Sequence, residues 1–113
     1  MKSRSCKNKG RRLVVELREA ILAAFPELAA DDIQLVPTSV GGEDLKLSPL
    51  ARKRWPFATE CKNVERLNIW AAISQAEANA GGHPASVVFR RNRHPVWCAV
   101  PLEVMVALLK GGA

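Results

Sequence analysis

The stretch Trp-Pro-Phe-Ala-Thr-Glu-Cys-Lys at residues 55–62 decides the fold, because it is an apolar run that ends in an acid and an amine. Successive side chains of a strand point to opposite faces, so Glu60 and Lys62 share one face and Cys61 lies on the other. Charged side chains are rarely buried without a purpose, and this predicts a functional pair. The alternative is an ordinary surface ion pair, which contributes little.

A second acid precedes this strand. Asp44 follows the Gly41-Gly42 break and opens a segment, residues 43–47, that alternates polar and apolar as a half-buried strand does. Carboxylates from neighbouring strands are the ligands that hard cations prefer, and an amine can meet the charge that develops on a phosphate. Glu43 is a rival to Asp44, because alternation places only one of the two toward the site.

The remaining periodicities predict an α/β fold. Apolar spacing predicts helices at residues 11–28, 65–80 and 102–110, and strands at residues 33–36, 43–47, 57–62, 86–90 and 96–100. The helix at 65–80 lies between the third and fourth strands and is expected to cross from one to the other. We therefore expect a central mixed sheet of about five strands flanked by helices.

Composition and charge limit the function. The chain has 113 residues, 48% of them hydrophobic, and a net charge of +6, which predicts one domain at residues 11–113 behind a flexible basic arm at residues 1–10. No apolar run is long enough to span a bilayer. The cysteines at 6, 61 and 98 form no zinc pattern, and a reduced cytoplasmic setting is the simplest interpretation.

Clustered positive charge attracts polyanions, so the basic clusters predict nucleic-acid contacts. For any one cluster, a solvated surface is the simpler interpretation, but three of them flank the candidate site. The side chains predicted to contact nucleic acid are Lys7, Lys9, Arg11, Arg12, Arg52, Lys53, Arg54, Arg90, Arg91 and Arg93. Trp55 is a candidate for base stacking, whereas Trp70 and Trp97 are expected in the core or at a dimer interface.

Four features occur together in this sequence: Asp44 after a glycine pair, Glu60-Cys61-Lys62 in an apolar strand, Glu16 at the edge of the apolar stripe of the first helix, and Gln75 on the helix that follows the strand. This combination resembles the PD-(D/E)xK nuclease superfamily. The resemblance is closer to its small phage-type and Holliday-junction-resolvase-like members and covers residues 9–100. It implies a restriction-endonuclease-like αβββαβ core. The first motif departs from the family pattern, since Gly-Gly-Glu and not proline precedes Asp44.

The resemblance also implies roles for the residues that match. Asp44, Glu60 and the backbone carbonyl of Cys61 would bind Mg²⁺ or Mn²⁺, and Glu16 would hold a second metal or a metal-bound water. Lys62 would orient or deprotonate the attacking water or neutralise charge on the phosphate, and Gln75 would fix Lys62 or a water. Taken alone, Glu16 is a solvated helix residue and Gln75 a helix-surface amide.

The function expected from this resemblance is a Mg²⁺-dependent DNA endonuclease, structure-specific for branched or Holliday-junction DNA. Such an enzyme would act as a homodimer in the cytoplasm of a bacterial or phage-infected cell, with no membrane partner. The alternatives are a nucleic-acid-binding module without catalysis and a structural protein on a nuclease-like fold. Intact Glu60 and Lys62 argue against the first of these.

Overall fold

The computed structural model describes residues 4–37 and 41–111, with side chains from Lys9 onward. It is a mixed α/β fold. Its elements are, in chain order, α1 (Arg4–Ala24), a 3₁₀ turn (Ala30–Asp32), β1 (Ile33–Leu35), β2 (Leu45–Leu47), α2 (Pro49–Arg54), β3 (Ala58–Asn63), α3 (Ile69–Ala78), β4 (Ala85–Arg90), β5 (Trp97–Ala99) and α4 (Leu102–Leu109).

The strands form two sheets. β1 and β2 pair antiparallel as a two-stranded sheet, and a three-stranded sheet has the order β3-β4-β5. β3 and β4 are parallel and β5 is antiparallel to β4, so α3 crosses between parallel neighbours as predicted. The expected central sheet of about five strands is seen only as these two sheets, and a backbone hydrogen bond of 3.0 Å from Asp44 N–H to the Thr59 carbonyl links them.

Helices cover both faces of the three-stranded sheet. On one face, Leu13, Leu17 and Ile21 of α1 are buried in a cluster that also contains Cys61 of β3 and Val88 of β4. We call this the α1 face. On the other, the α3 face, Ala72 and Ala76 of α3 pack against Val87. Small alanine side chains let α3 lie close to the sheet, so residues opposite α3 lie near its backbone.

Two local predictions need correction. The chain is helical from Arg4, so the flexible arm expected at residues 1–10 is not observed from that residue on; residues 1–3 lie outside the described residues. Lysine and arginine are good helix formers, and the first helix simply extends into this basic segment. The second correction is α2, which occupies a segment expected to be a loop. Ser48 caps it by accepting a hydrogen bond of 3.1 Å from Ala51 N–H, and Pro49 suits its first turn.

Among the described residues, no helix combines the length and the apolar character that crossing a membrane requires. The longest helix, α1, is 21 residues long and carries several charged residues.

Candidate functional site

The acid and the amine of β3 lie together on the α3 face. Glu60 is buried, with 7% of the residue exposed. Its Oε2 lies 3.5 Å from Lys62 Nζ and accepts a hydrogen bond of 3.1 Å from Gln75 Nε2 of α3. Cys61, between them, is buried on the α1 face, as strand alternation predicts. Gln75 therefore belongs to the site, although it fixes Glu60 and not Lys62.

Asp44 reaches the same strand from the neighbouring hairpin. Its Oδ2 accepts a hydrogen bond of 2.6 Å from the backbone N–H of Cys61. Gly42, with φ +99°, provides the left-handed turn that leads into this residue. The N–H and the carbonyl of one strand residue point to the same side, so the Cys61 carbonyl also points toward the Asp44 side of β3. The carbonyl proposed as a ligand from sequence thus has a suitable direction.

Glu43 and Asp44 have different partners in the structure. Both carboxylate oxygens of Glu43 accept hydrogen bonds of 3.0 Å from the guanidinium of Arg52. Arg52 also donates to the Phe57 carbonyl at 2.8 Å, so this pair holds α2 against the loop before β3. Glu43 therefore has a structural partner, whereas Asp44 faces the strand that carries Glu60.

The charge of Asp44 opposes the ionisation of Glu60. Burial raises the pKa of Glu60, and the nearby charge of Asp44 raises it further, while Lys62 acts in the opposite direction. Burial also raises the pKa of Asp44, against the lowering effects of the Cys61 N–H and Lys62. A buried acid and a half-buried acid whose charged forms are both disfavoured are groups that a bound cation would stabilise in the charged form.

Glu16 does not join this group. Its carboxylate forms a bidentate ion pair with Arg90 at the end of β4, and the hydrogen bond to Arg90 is the main reason that its pKa is lowered. Arg90 follows Val88 by two residues and so lies on the α1 face, whereas Glu60 and Lys62 lie on the α3 face. The expected ligand set that included Glu16 is therefore not assembled.

Consistent with this, no group of three or more His, Cys, Asp and Glu side chains that could hold a metal occurs in residues 9–37 and 41–111. The protein ligands available to a cation at this site are the carboxylates of Asp44 and Glu60 and the Cys61 carbonyl. This small set suits Mg²⁺, which usually keeps several waters and takes one or two carboxylates plus phosphate oxygens from a substrate.

Several of the basic residues expected to contact nucleic acid have structural partners. Arg11 donates to the Val36 carbonyl at 3.2 Å, and Arg54 pairs with Glu27 and lies over the Phe25 ring. Arg52 and Arg90 are held as described above. The side chain of Lys7 lies outside the described part. Within that part, the remaining members make no ion pair: Lys9, Arg12, Lys53, Arg91 and Arg93.

The structure also reveals a cleft that the sequence interpretation missed. A cavity of about 430 Å³ lies beside β4 and β5, and its lining includes Arg66, Phe89, Arg91, His94 and Trp97. Trp97 was expected in the core or at a dimer interface but is 65% exposed. No sequence signal indicated the cleft, because it depends on which residues of β3, β4 and β5 lie opposite one another.

Comparisons of the sequence with protein-family models and with curated proteins, and of the fold with solved structures, found no match. The functional argument therefore rests on the geometry of this chain.

Proposed function

We propose that this protein is a metal-dependent DNA endonuclease that hydrolyses phosphodiester bonds. The observation that carries the proposal is the hydrogen bond of 2.6 Å from Cys61 N–H to Asp44, which brings a second, half-buried carboxylate to the strand of Glu60 and Lys62. Asp44 raises the pKa of Glu60 and so works against a simple ion pair between Glu60 and Lys62. In a cation site beside an amine, the second acid has a role as a ligand.

Asp44, Glu60 and the Cys61 carbonyl would hold Mg²⁺ or Mn²⁺. Oxygen ligands of this kind suit hard cations, and the two carboxylates would be relieved of their mutual repulsion. When bound, such a cation acts as a Lewis acid on a phosphate oxygen and stabilises the charge that develops there.

The chain's own side chains supply the other requirements. The ammonium of Lys62, 3.5 Å from Glu60, can donate to a phosphate oxygen or orient an attacking water. Gln75 holds Glu60 at 3.1 Å and so fixes the carboxylate that bridges the amine and the cation position. Burial of Glu60 excludes water from one side of the pair, which strengthens these interactions.

The architecture supports the resemblance to PD-(D/E)xK nucleases. With the bond from Asp44 to Thr59, the strands follow the order β1-β2-β3-β4-β5, which we interpret as one interrupted five-stranded sheet. The order of elements up to β4 then follows a restriction-endonuclease-like αβββαβ core, with α2 as an insertion between β2 and β3. In this proposal Glu16 stabilises α1 against the sheet and is not a metal ligand.

DNA is the proposed substrate because the chain is basic, with a net charge of +6, and exposes Arg12, Lys53, Arg91 and Arg93. A one-domain chain has no separate module for reading a sequence, so recognition of a branched or junction structure is the favoured mode. We place its action in the cytoplasm, where thiols such as those of Cys61 and Cys98, both free in the described part of the chain, stay reduced.

We also propose a homodimer, formed through α4. Seven of the eight residues of α4 are apolar, and none is buried. Leu102 and Leu109 are 78% and 79% exposed, and a helix that is apolar all round requires a partner. Residues 100–109 contain one charged residue, Glu103, so this face offers little charge to select an oppositely charged protein. A second copy can instead pair the same helix about a two-fold axis and supply a second site.

The test is cleavage of linear, nicked, flap and four-way DNA in Mg²⁺ or Mn²⁺. Glu60→Gln and Lys62→Met should reduce the rate by about 10²- to 10⁴-fold. Matched controls are Glu77→Gln, an exposed acid of α3, and Lys46→Met, an exposed lysine of β2, which should cut as the parent does. The proposal fails if the folded parent cuts none of these substrates, or if both site variants cut at the parental rate. DNA binding without cutting by the parent would favour the non-catalytic module.

A further inference from the structure

The strand register connects the candidate site to the cleft beside β4 and β5. Lys62 lies opposite Phe89 in the parallel pair, and Phe89 lies opposite Trp97 in the antiparallel pair. Residues that are opposite in register share a face of the sheet, so Lys62, Phe89 and Trp97 form one row on the α3 face. Neighbouring strands are about 4.8 Å apart, which places Trp97 about 10 Å from Lys62 along this row.

The cleft at the end of this row combines an aromatic surface with positive charge. It has a volume of about 430 Å³, and Trp97 is 65% exposed while forming part of its wall. Arg66 and Arg91 also line it and are exposed, and neither forms an ion pair within the part of the chain that the structure describes. Arg90 lines it too, but its guanidinium is held by Glu16.

Glu65 is the one acid among the residues that line the cleft, and its carboxylate has a hydrogen-bond partner. Its carboxylate accepts a hydrogen bond of 2.6 Å from the backbone N–H of Asn92 and so fixes the turn between β4 and β5. A further bond of 3.1 Å from His94 N–H to the Arg91 carbonyl closes that turn. Arg91 is therefore presented by an ordered turn and Trp97 by β5, and the lining residues carry more positive than negative side chains, since Glu65 is the one acid among them.

We infer that this cleft binds an unpaired nucleotide of the substrate strand, with its base stacked on Trp97 and its phosphate held by Arg66 and Arg91. Stacking on aromatic rings within a positively charged groove is how proteins hold single strands without reading sequence. A stacked base in a duplex cannot offer its face to Trp97. The row from Lys62 to Trp97 then places the unpaired nucleotide next to the phosphate at the candidate site. The inferred substrate class, DNA with an unpaired segment beside the cut, rests on the proposed nuclease function.

The test measures binding without catalysis. Tryptophan emission is followed while an oligodeoxythymidylate of about eight nucleotides is added in the presence of EDTA. A blunt duplex of the same length and a ribonucleotide oligomer serve as comparisons. The parent should be quenched by the single strand, and the duplex should quench it much less. Quenching by the ribonucleotide oligomer alone would overturn the inference for DNA.

Variants locate the contact. Trp97→Ala should lose the quenching and bind the single strand about 5- to 150-fold more weakly, in line with the effect of one stacked base. Trp97→Phe should restore most of the affinity. Trp70→Phe is the matched control, since Trp70 is 76% exposed and lies outside the cleft. This variant should bind the single strand with the affinity of the parent, and its quenching should equal that of the parent once the emission is corrected for one lost tryptophan. Arg91→Ala should reduce the salt slope by about 0.7, and Lys46→Ala should not.

The outcomes separate this inference from the nuclease proposal. If Trp97→Ala binds the single strand as tightly as the parent, or if the parent binds none, the cleft assignment is overturned, whatever the cleavage assay gives. If quenching depends on Trp97 but no DNA is cut, the nucleotide site stands and the nuclease proposal fails. Two results together would overturn the inferred substrate class alone. Trp97→Ala would cut a fully paired duplex at the parental rate, and the parent would cut flaps no faster than duplexes.

Discussion

The Asp44 carboxylate accepts a hydrogen bond of 2.6 Å from the Cys61 backbone N–H. The candidate site depends on this contact between Asp44 and β3. This bond places an acid from one hairpin against the strand of another sheet. It lowers the pKa of Asp44, yet burial has the larger effect and the pKa remains raised. The bond orients this carboxylate, and burial disfavours its charged form, which a bound cation would stabilise.

The first prediction concerns the stability cost of the site. Glu60→Gln should slow cleavage as stated above but raise the free energy of unfolding by on the order of 1 kcal/mol in EDTA at neutral pH, because it removes a buried charge beside Asp44 and keeps an acceptor for Gln75. Urea denaturation of both proteins measures this. A lower free energy of unfolding for Glu60→Gln would show that Glu60 is a stabilising partner of Lys62 and not a strained ligand.

The second prediction follows from pH. The pKa of Glu60 and Asp44 is raised in the folded protein, so the folded state keeps their protons to a higher pH than the unfolded chain. Their contribution to stability is full below the ordinary carboxyl pKa and is lost as the pH rises through the raised values. The advantage of Glu60→Gln over the parent should therefore grow as the pH rises from about 4 toward neutrality. Melting temperatures across this range test it, and a constant difference would contradict it.

The third prediction distinguishes the two adjacent acids. Mg²⁺ in excess over its dissociation constant should raise the melting temperature of the parent at neutral pH, since a cation that binds only the folded state stabilises it. Asp44→Asn should remove this response. Glu43→Gln should keep it while lowering stability by about 1 kcal/mol, because it weakens the paired hydrogen bonds to Arg52. The opposite pattern would identify Glu43 as the ligand.

The fourth prediction concerns Glu16. Its ion pair with Arg90 lies on the α1 face, and the Glu16 side chain is 51% exposed. Glu16→Gln should therefore leave cleavage within about two-fold of the parent and cost less than about 1 kcal/mol. Cleavage rate and denaturation measured on the same preparation decide it. A loss of rate as large as that of Glu60→Gln would mean that Glu16 reaches the site in the complex with DNA.

The fifth prediction tests the α4 interface. Leu109→Lys should convert a dimer into a monomer, because it places a charge in an apolar face that the second copy covers. Leu50→Lys is the matched control, since Leu50 is an exposed leucine of α2 with no place in the interface. Light scattering coupled to size exclusion gives the mass. A parent that is monomeric at all concentrations tested would show that α4 meets something other than its own copy.

Local sequence determined much of this molecule. Alternation along β3 is a property of the strand itself, so the separation of Glu60 and Lys62 from Cys61 followed from residue spacing alone. The helix between β3 and β4 was predicted from residue periodicity, and its crossing from one strand to the other from the order of elements. Gln75 was predicted only through the resemblance to a nuclease family, since a helix amide has no distinctive signal of its own.

Tertiary structure decided what depends on partners distant in the chain. Arg52 pairs with Glu43, 9 residues before it, whereas Asp44 contacts β3 at the candidate site. Arg90 pairs with Glu16, 74 residues before it. Side-chain ion pairs of this kind have no periodic signal, since each requires a separately folded neighbour. The row from Lys62 through Phe89 to Trp97 likewise exists only after three strands have found their register. Periodicity fixes which face a side chain occupies, and only the packed fold fixes what it meets there.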